Sequence, residues 1–203
     1  MKNKVPSLPG ARLEVRLAGS GGQGLILAGL VLAEAAGIYE GREVAMAQSY
    51  GPEARGGASK AEIIISNAPI DYPLCTRVDV LLALSQEAAD AYCWDLKPGA
   101  LILVDKDLVA HPPSSFAIAL PFTAIARDKL KRVMVANVLA LAAISELTGL
   151  VGRRSLEKAL AARAPVGTEE LNRKAIAIGV KLAREYRAKQ TGQSSPEPGS
   201  EDL

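Results

Sequence analysis

A glycine-rich segment near the amino terminus has the residue types and the spacing of a phosphate-binding loop. Gly19, Gly21 and Gly24 follow the pattern Gly-x-Gly-x-x-Gly, and Gly22 and Gln23 lie between them. Residues without a Cβ let the backbone turn tightly and approach a ligand, and the free amides of a following helical turn attract an anion. The segment therefore predicts an anion site. Close packing of a strand against a helix is the alternative explanation for the same glycines.

Autonomous binding of a nicotinamide dinucleotide is disfavoured by the residues that follow the glycine-rich segment. Such a site places an acidic side chain about 20 residues further on, where it holds the ribose hydroxyls. Ala47, Gln48 and Ser49 occupy that place. Gln23 indicates a specific polar contact, and a glutamine that only faces solvent is the alternative.

A second candidate site is the segment 49–57, whose composition is too unusual for a plain connector. It consists of Ser49, Tyr50, Gly51, Pro52, Glu53, Ala54, Arg55, Gly56 and Gly57. Arg55 is suited to a bidentate grip on a phosphate or carboxylate, and Tyr50 is suited to cover an apolar ligand surface. An internal pair between Glu53 and Arg55 at a subunit surface is the alternative. We expect the segment at the carboxyl edge of a parallel sheet, where open α/β sheets bind ligands.

No residue is predicted to act as a catalytic acid, base or nucleophile, or as a metal ligand. The one histidine, His111, precedes two prolines and is interpreted as a loop residue. Cys75 and Cys93 lie far apart in a sequence that has only these two cysteines, so it contains no thiolate-rich cluster motif. We expect both to be reduced thiols of a cytoplasmic protein.

Asn137 is the one amide in an otherwise apolar stretch, 133–144. Burying an amide without partners costs roughly 1 to 3 kcal/mol, so we expect this side chain to be hydrogen-bonded. Its partner is either a backbone group of a neighbouring loop, such as the glycine-rich segment or 49–57, or else a partner subunit or a bound ligand.

The order of apolar stretches predicts an α/β fold with a doubly wound, mostly parallel, Rossmann-like sheet and carboxyl-terminal helices. Strands are predicted over 13–17, 42–48, 61–66, 78–84, 100–105 and 116–120. Helices are predicted over 25–36, 86–96, 130–147, 153–163 and 168–189. The first two strands and the helix between them are interpreted as a βαβ unit. We expect a single domain over 12–189, an amino-terminal arm over 1–11 and a disordered tail over 190–203.

Composition narrows the classes of partner. The chain has 203 residues, 49% of them apolar, which suffices for one domain with a sizeable core. Its formal charge is only +2 and aromatic residues make up 4%, so the stacking platform of a nucleic-acid binder is lacking. The longest apolar stretches, 25–33 and 133–144, are well short of the roughly 20 residues of a membrane helix. We therefore expect neither nucleic acid nor a membrane as a partner.

The two candidate segments resemble one known family when they are taken together. The glycine-rich segment, the segment 49–57, and the following Ile-Ile-Ile-Ser and Asp-Val-Leu-Leu-Ala-Leu strongly resemble the gamma subunit of the 2-oxoacid:ferredoxin oxidoreductases. The resemblance extends over roughly 12–187 and includes the helix that contains Asn137. It implies that the two segments and Asn137 contribute to cofactor binding, as a wall of the active-site cavity near thiamine or coenzyme A.

The resemblance also implies a reaction and a set of partners. Thiamine diphosphate attacks the 2-oxo carbon, carbon dioxide leaves, iron–sulfur clusters carry electrons to ferredoxin, and coenzyme A takes the acyl group. Thiamine diphosphate with Mg, the clusters and coenzyme A are then expected mainly on alpha, beta and possibly delta subunits, and none on this chain alone. A 2-oxoglutarate type is favoured, with pyruvate, branched-chain and indolepyruvate types open. A nucleotide-binding or regulatory module is the alternative function, and an autonomous dehydrogenase is a third.

Overall fold

Six strands form one sheet in a computed structural model that describes residues 12–50, 57–165 and 167–191. They are β1 (Arg12–Ser20), β2 (Glu43–Ser49), β3 (Ala58–Ser66), β4 (Val78–Ala83), β5 (Leu96–Asp105) and β6 (Ile118–Leu120), in the spatial order β2-β3-β1-β4-β5-β6. β1, β4, β5 and β6 pair in parallel, whereas β3 is antiparallel to both β1 and β2. The predicted α/β class with a mostly parallel sheet is confirmed.

The helices cover the two faces of the sheet unequally. They are α1 (Leu25–Gly37), α2 (Gln86–Ala91), α3 (Phe122–Asp128), α4 (Ala136–Thr148), α5 (Arg153–Arg163) and α6 (Glu169–Thr191). The main apolar core lies between one face and α1, α3, α4, α5 and α6, and α2 packs on the opposite face. No helix of the described residues combines the length and the apolar character that a membrane crossing requires.

Helix α4 is buried on most sides because it fills the centre of the main core. It packs against α6 and is flanked by α1, α3 and α5. Gly179 of α6 permits this close packing, because a Cβ at this position would lie only 2.9 Å from the Cβ of Ala142 and would collide with the Leu139 carbonyl. The helix ends where Gly149 adopts a left-handed conformation, with φ of 72°.

The structure corrects three predicted boundaries. The helix predicted over 86–96 ends at Ala91, because Leu96 pairs with Val78 and begins β5. The helix predicted over 130–147 begins only at Ala136, after a short 3₁₀ turn. α6 continues to Thr191, so a tail cannot begin at 190. The predicted arm 1–11 and the rest of the predicted tail, 192–203, lie outside the described residues.

The predicted βαβ unit is present with one strand inserted. β1 and β2 both run antiparallel to β3, which lies between them, so they are parallel to each other but not neighbours. Sequence periodicity located these strands. It could not show that the chain turns back after β2 and that β3 then inserts between β1 and β2. The chain leaves β1 through α1 on one face and leaves β4 through α2 on the other. The carboxyl edge between β1 and β4 is therefore the topological switch point of the sheet.

Candidate functional site

Both candidate segments flank the carboxyl edge of the sheet. Ser20, the last residue of β1, pairs with Ala58, the first residue of β3, and Ser49 ends β2 beside Lys60. The hydroxyl of Ser59 donates a hydrogen bond of 3.2 Å to the carbonyl of Gly19. The glycine-rich segment and the two ends of 49–57 are thus brought to the same edge, beside the switch point.

Gln23 makes its polar contacts with the backbone of its own chain. Its side-chain oxygen accepts a 2.7 Å hydrogen bond from the amide of Ser20, and its Nε2 donates a 2.9 Å bond to the carbonyl of Leu84 at the end of β4. A Cβ at Gly19 would collide with that same oxygen. The first glycine of the pattern therefore makes room for a side chain that ties the loop after β1 to β4.

Asn137 holds the other side of the loop. This residue is 5% exposed; its Nδ2 donates a 3.0 Å hydrogen bond to the Gly24 carbonyl, and its Oδ1 accepts a 2.7 Å bond from the Val138 amide. Gly24 has a positive φ of 75°, and a Cβ there would collide with Nδ2 of Asn137. The structure therefore provides the backbone partner expected for this amide within the glycine-rich segment itself.

The middle of the loop remains open to a ligand or partner. Gly21 and Gly22 are exposed, Gly22 has φ of 90°, and a Cβ at Gly22 would meet no atom within 4 Å. Within the described part of the chain, no side chain caps α1, and its first turn contains no acidic residue. Free amides and the positive end of the helix dipole make this end of α1 favourable for an anion.

The start of α2 closes the other side of the switch point. Ser85 caps this helix by accepting a 3.2 Å hydrogen bond from the Ala88 amide. Glu87 accepts a 3.2 Å bond from the amide of Ala58, and the hydroxyl of Tyr92 donates a 3.1 Å bond to the carbonyl of the same residue. These bonds fix the beginning of β3, where the segment 49–57 re-enters the sheet.

The structure describes the two ends of the second segment. Ser49 and Tyr50 are exposed, and Gly57 is half-buried, with its carbonyl 3.9 Å from where a Cβ of Gly21 would lie. Gly51, Pro52, Glu53, Arg55 and Gly56 lie outside the described residues. The roles predicted for Arg55 and for a Glu53–Arg55 pair therefore stay predictions.

The position of β2 bears on dinucleotide binding. Ser49 and Ala18 pair with the same residue, Lys60, from opposite sides, so the end of β2 is two strand spacings, about 9.5 Å, from Ala18, which lies two residues before the end of β1. An acidic residue at the end of β2 would not stand beside the glycine-rich segment, as the ribose acid of a dinucleotide site must. The topology therefore adds a second reason against an autonomous dehydrogenase.

A charged cluster around the buried Arg16 lies on the α2 face of the sheet, and sequence reasoning missed it. Arg16 of β1 is 3% exposed and pairs with Glu62 at 2.5 Å and Asp95 at 2.5 Å, with the ring of Tyr92 at 5.8 Å from its guanidinium carbon. The hydrogen bond from Arg16 lowers the pKa of Asp95. Burial raises the pKa of Cys75, near this cluster, to about 12, so its thiol is protonated at neutral pH. Only the charged residues within β1 pointed to such a cluster, and their partners come from distant positions.

The described residues hold no group of three His, Cys, Asp or Glu side chains placed to bind a metal ion. His111 is exposed, and its backbone exchanges two hydrogen bonds, each of 2.9 Å, with the side chain of Gln86. What the site offers is a fixed loop, free helical amides and an open surface. This arrangement can bind and orient an anion.

The comparison with known proteins agrees with this arrangement. Residues 14–182 match the pyruvate ferredoxin/flavodoxin oxidoreductase family. The chain is 47% identical over 178 residues to 2-oxoglutarate synthase subunit KorC of Methanocaldococcus jannaschii, covering 86% of this chain and 95% of that protein. It is 43% identical over 182 residues to the same subunit of Methanothermobacter marburgensis, covering 86% and 98%.

A solved structure supports the same assignment. The gamma subunit of the keto/oxoacid ferredoxin oxidoreductase from Geobacter sulfurreducens superposes with a TM-score of 0.79 at 48% identity, covering 86% of this chain and 98% of that one. The resemblance found in the glycine-rich segment and in 49–57 is thereby confirmed. The chain belongs to the pyruvate ferredoxin/flavodoxin oxidoreductase family, as a gamma subunit of a 2-oxoacid:ferredoxin oxidoreductase.

Proposed function

We propose that this chain is the gamma subunit of a 2-oxoglutarate:ferredoxin oxidoreductase. The assembled enzyme converts 2-oxoglutarate and coenzyme A to the acyl-CoA and carbon dioxide, and the two electrons released reduce ferredoxin. The observation that carries the choice of substrate is the 47% identity, over nearly the whole of both chains, with a 2-oxoglutarate synthase subunit. We place the enzyme in the cytoplasm.

The cofactors of the reaction are held mainly by partner chains, which we propose to be alpha, beta and possibly delta subunits. A four-thiolate iron–sulfur cluster needs more cysteines than the two in this sequence. Thiamine diphosphate, when bound with Mg in the assembled enzyme, supplies a nucleophilic carbon for decarboxylation. The exposed Gly22 and the free amides at the start of α1 fit a phosphate or carboxylate group of such a cofactor or of coenzyme A.

The residues of the site divide by what their side chains contact. Gln23 and Asn137 position the loop, because both amides bond to backbone groups at its two ends. We propose that Gly21, Gly22 and the amides of the first turn of α1 form the wall that a bound anion contacts. We propose the same contribution to anion binding for Tyr50 and Arg55 of the segment 49–57, because Ser49 and Gly57 place the two ends of that segment at this edge.

Reconstitution tests the function directly. The chain is produced without oxygen together with its partner subunits, and ferredoxin reduction is followed in the presence of coenzyme A and one 2-oxoacid. We expect 2-oxoglutarate to give a higher kcat/KM than pyruvate or 3-methyl-2-oxobutanoate. A preference for either of the other acids would refute the substrate and leave the family assignment intact.

A titration of the isolated chain addresses the alternative of a nucleotide-binding module. With one anion site and no ribose acceptor, binding of NADH or NADPH should be weak. Sub-micromolar affinity, together with no assembly with the partner subunits, would replace the subunit function by the nucleotide-binding one.

A further inference from the structure

A cavity of about 470 Å³ opens beside the glycine-rich segment on the face covered by α1, α4, α5 and α6. Its walls are mostly apolar and include Leu27, Val138, Leu160 and Leu171, and Gly24 is part of its rim. The cavity therefore adjoins the candidate site without being part of the switch-point crevice between β1 and β4.

Two large apolar side chains that line this cavity, and a third that is next to one of them in the chain, remain accessible. Met134 is 65% exposed, Leu27 is 37% exposed, and Val133, the neighbour of Met134, is 51% exposed. Isolated apolar side chains on a surface need no explanation, but a group of them at the entrance of an apolar cavity is typical of a binding surface. We call Leu27, Val133 and Met134 the apolar rim.

Positive charge lies next to the apolar rim. Arg132 lines the cavity, is exposed, and forms no ion pair within the described part of the chain. Lys131 precedes it with a left-handed φ of 56°, a conformation that costs free energy outside glycine. The amino-terminal ends of α1 and α4 also meet the cavity, and neither has an acidic residue in its first turn. A carboxylate opposite Arg132 would be stabilised by its guanidinium group and by the positive ends of the α1 and α4 dipoles.

We propose, on the basis of the subunit function above, that the apolar rim and Arg132 form a docking surface for a segment of a partner subunit. That segment inserts an apolar side chain into the cavity and places a carboxylate against Arg132. A small anionic ligand inside the cavity would leave Val133 and Met134 in water, whereas a protein segment covers them. Docking here also places the partner chain next to the open part of the glycine-rich segment.

The test compares two single variants with wild type in assembly with the partner subunits. Met134→Glu should weaken assembly about tenfold or more, because a carboxylate loses its hydration in an apolar contact. Arg132→Gln should weaken assembly less and should reduce the loss of affinity that salt causes. Affinity is measured by titration of the complete partner set with the full-length chain at two salt concentrations.

Matched controls separate docking from general surface effects. Ile38→Glu changes a residue that is 71% exposed at the other end of α1, about 16 Å from Leu27 along the helix axis, and Arg154→Gln removes an exposed cation at the start of α5. Both controls should assemble as wild type does. The melting temperatures of all four variants should stay near that of wild type, because each altered side chain is exposed.

Four results would overturn the docking surface, and only the last of them also refutes the proposed function. If Met134→Glu assembles as tightly as wild type, the docking surface is refuted and the proposed function is left intact. Equal losses of affinity for the partner subunits in Met134→Glu and Ile38→Glu would show that the loss does not come from the apolar rim. Stoichiometric binding of 2-oxoglutarate to the isolated chain, lost in Arg132→Gln, would assign the cavity to a small ligand. Failure of the wild-type chain to assemble would refute the proposed function as well.

Discussion

Replacing Asn137 by alanine should destabilise the full-length chain, because it leaves a buried amide unpaired. The Oδ1 of Asn137 accepts the Val138 amide at 2.7 Å, and among the described residues no backbone carbonyl accepts from that amide in the first turn of α4. The carbonyl of Gly24 also loses a partner, but it keeps its 3.0 Å bond from the Ala28 amide. The main loss is therefore one buried donor.

The magnitude follows from this single donor. An unpaired buried donor costs about 1 to 3 kcal/mol. The better helix propensity of alanine offsets up to roughly 0.7 kcal/mol. A net loss of about 1 to 2 kcal/mol in a domain of this size lowers the melting temperature by about 2 to 8 °C.

Thermal and denaturant unfolding of Asn137→Ala measure this loss, and Ser145→Ala is the matched control. Ser145 is buried in the same helix, and its hydroxyl has no hydrogen-bond partner among the described residues. Removing a buried hydroxyl without a partner should leave the free energy of unfolding unchanged or raise it. An Asn137→Ala chain that melts with wild type, or a Ser145→Ala chain that loses as much stability, would refute the reasoning.

Three further predictions concern packing, thiol reactivity and acid stability. Gly179→Ala should lower the free energy of unfolding by about 1 to 3 kcal/mol, because its Cβ would lie 2.9 Å from the Cβ of Ala142 between two packed helices, as denaturant unfolding will show. Cys75 should react slowly with iodoacetamide at pH 8 in the folded chain, because burial raises its pKa to about 12 and keeps the thiol protonated. The pair with Arg16 lowers the pKa of Asp95 in the folded chain below its ordinary value of 3.8. The ion pair therefore stabilises the fold above pH 3.8, and this stabilisation is lost as the pH falls through the lower pKa of the folded state. Unfolding measured between pH 6 and about 3 should therefore depend less on pH in Asp95→Asn.

Each of these predictions has a control and a contrary result. Gly37→Ala should be tolerated, since its Cβ would meet only ordinary contacts of 3.5 Å or more, and equal stability of Gly179→Ala would contradict the packing explanation. Cys75 should react fully after unfolding, and fast labelling in the folded chain would show that the thiol is accessible. Asp128→Asn removes an exposed ion pair with Arg127 and should leave the pH dependence of unfolding nearly as in wild type. If the pH dependence of unfolding in Asp95→Asn is identical to that of wild type, its pair with Arg16 has no role in acid stability.

The chain order of the elements could be read from the sequence because periodicity is a local property. Apolar runs located all six strands, with ends within about four residues, and the glycines at 149 and 152 correctly separated α4 from α5. The helix predicted over 86–96 was too long, because its composition favours a helix while the pairing of Leu96 with Val78 favours a strand. Local propensity is weaker than a pairing that completes the sheet.

The sequence by itself also determined the family, because the composition and order of the glycine-rich segment and of 49–57 are specific to it. Only the tertiary structure showed why Gly19 and Gly24 lack a side chain. They leave space for the side-chain amides of Gln23, in the loop itself, and of Asn137, in α4. The tertiary structure likewise decided that β3 separates β1 from β2, and that Arg16 is paired within the chain. Strand order and side-chain pairing depend on contacts between residues far apart in the chain, and no local pattern encodes which distant partner a residue will meet.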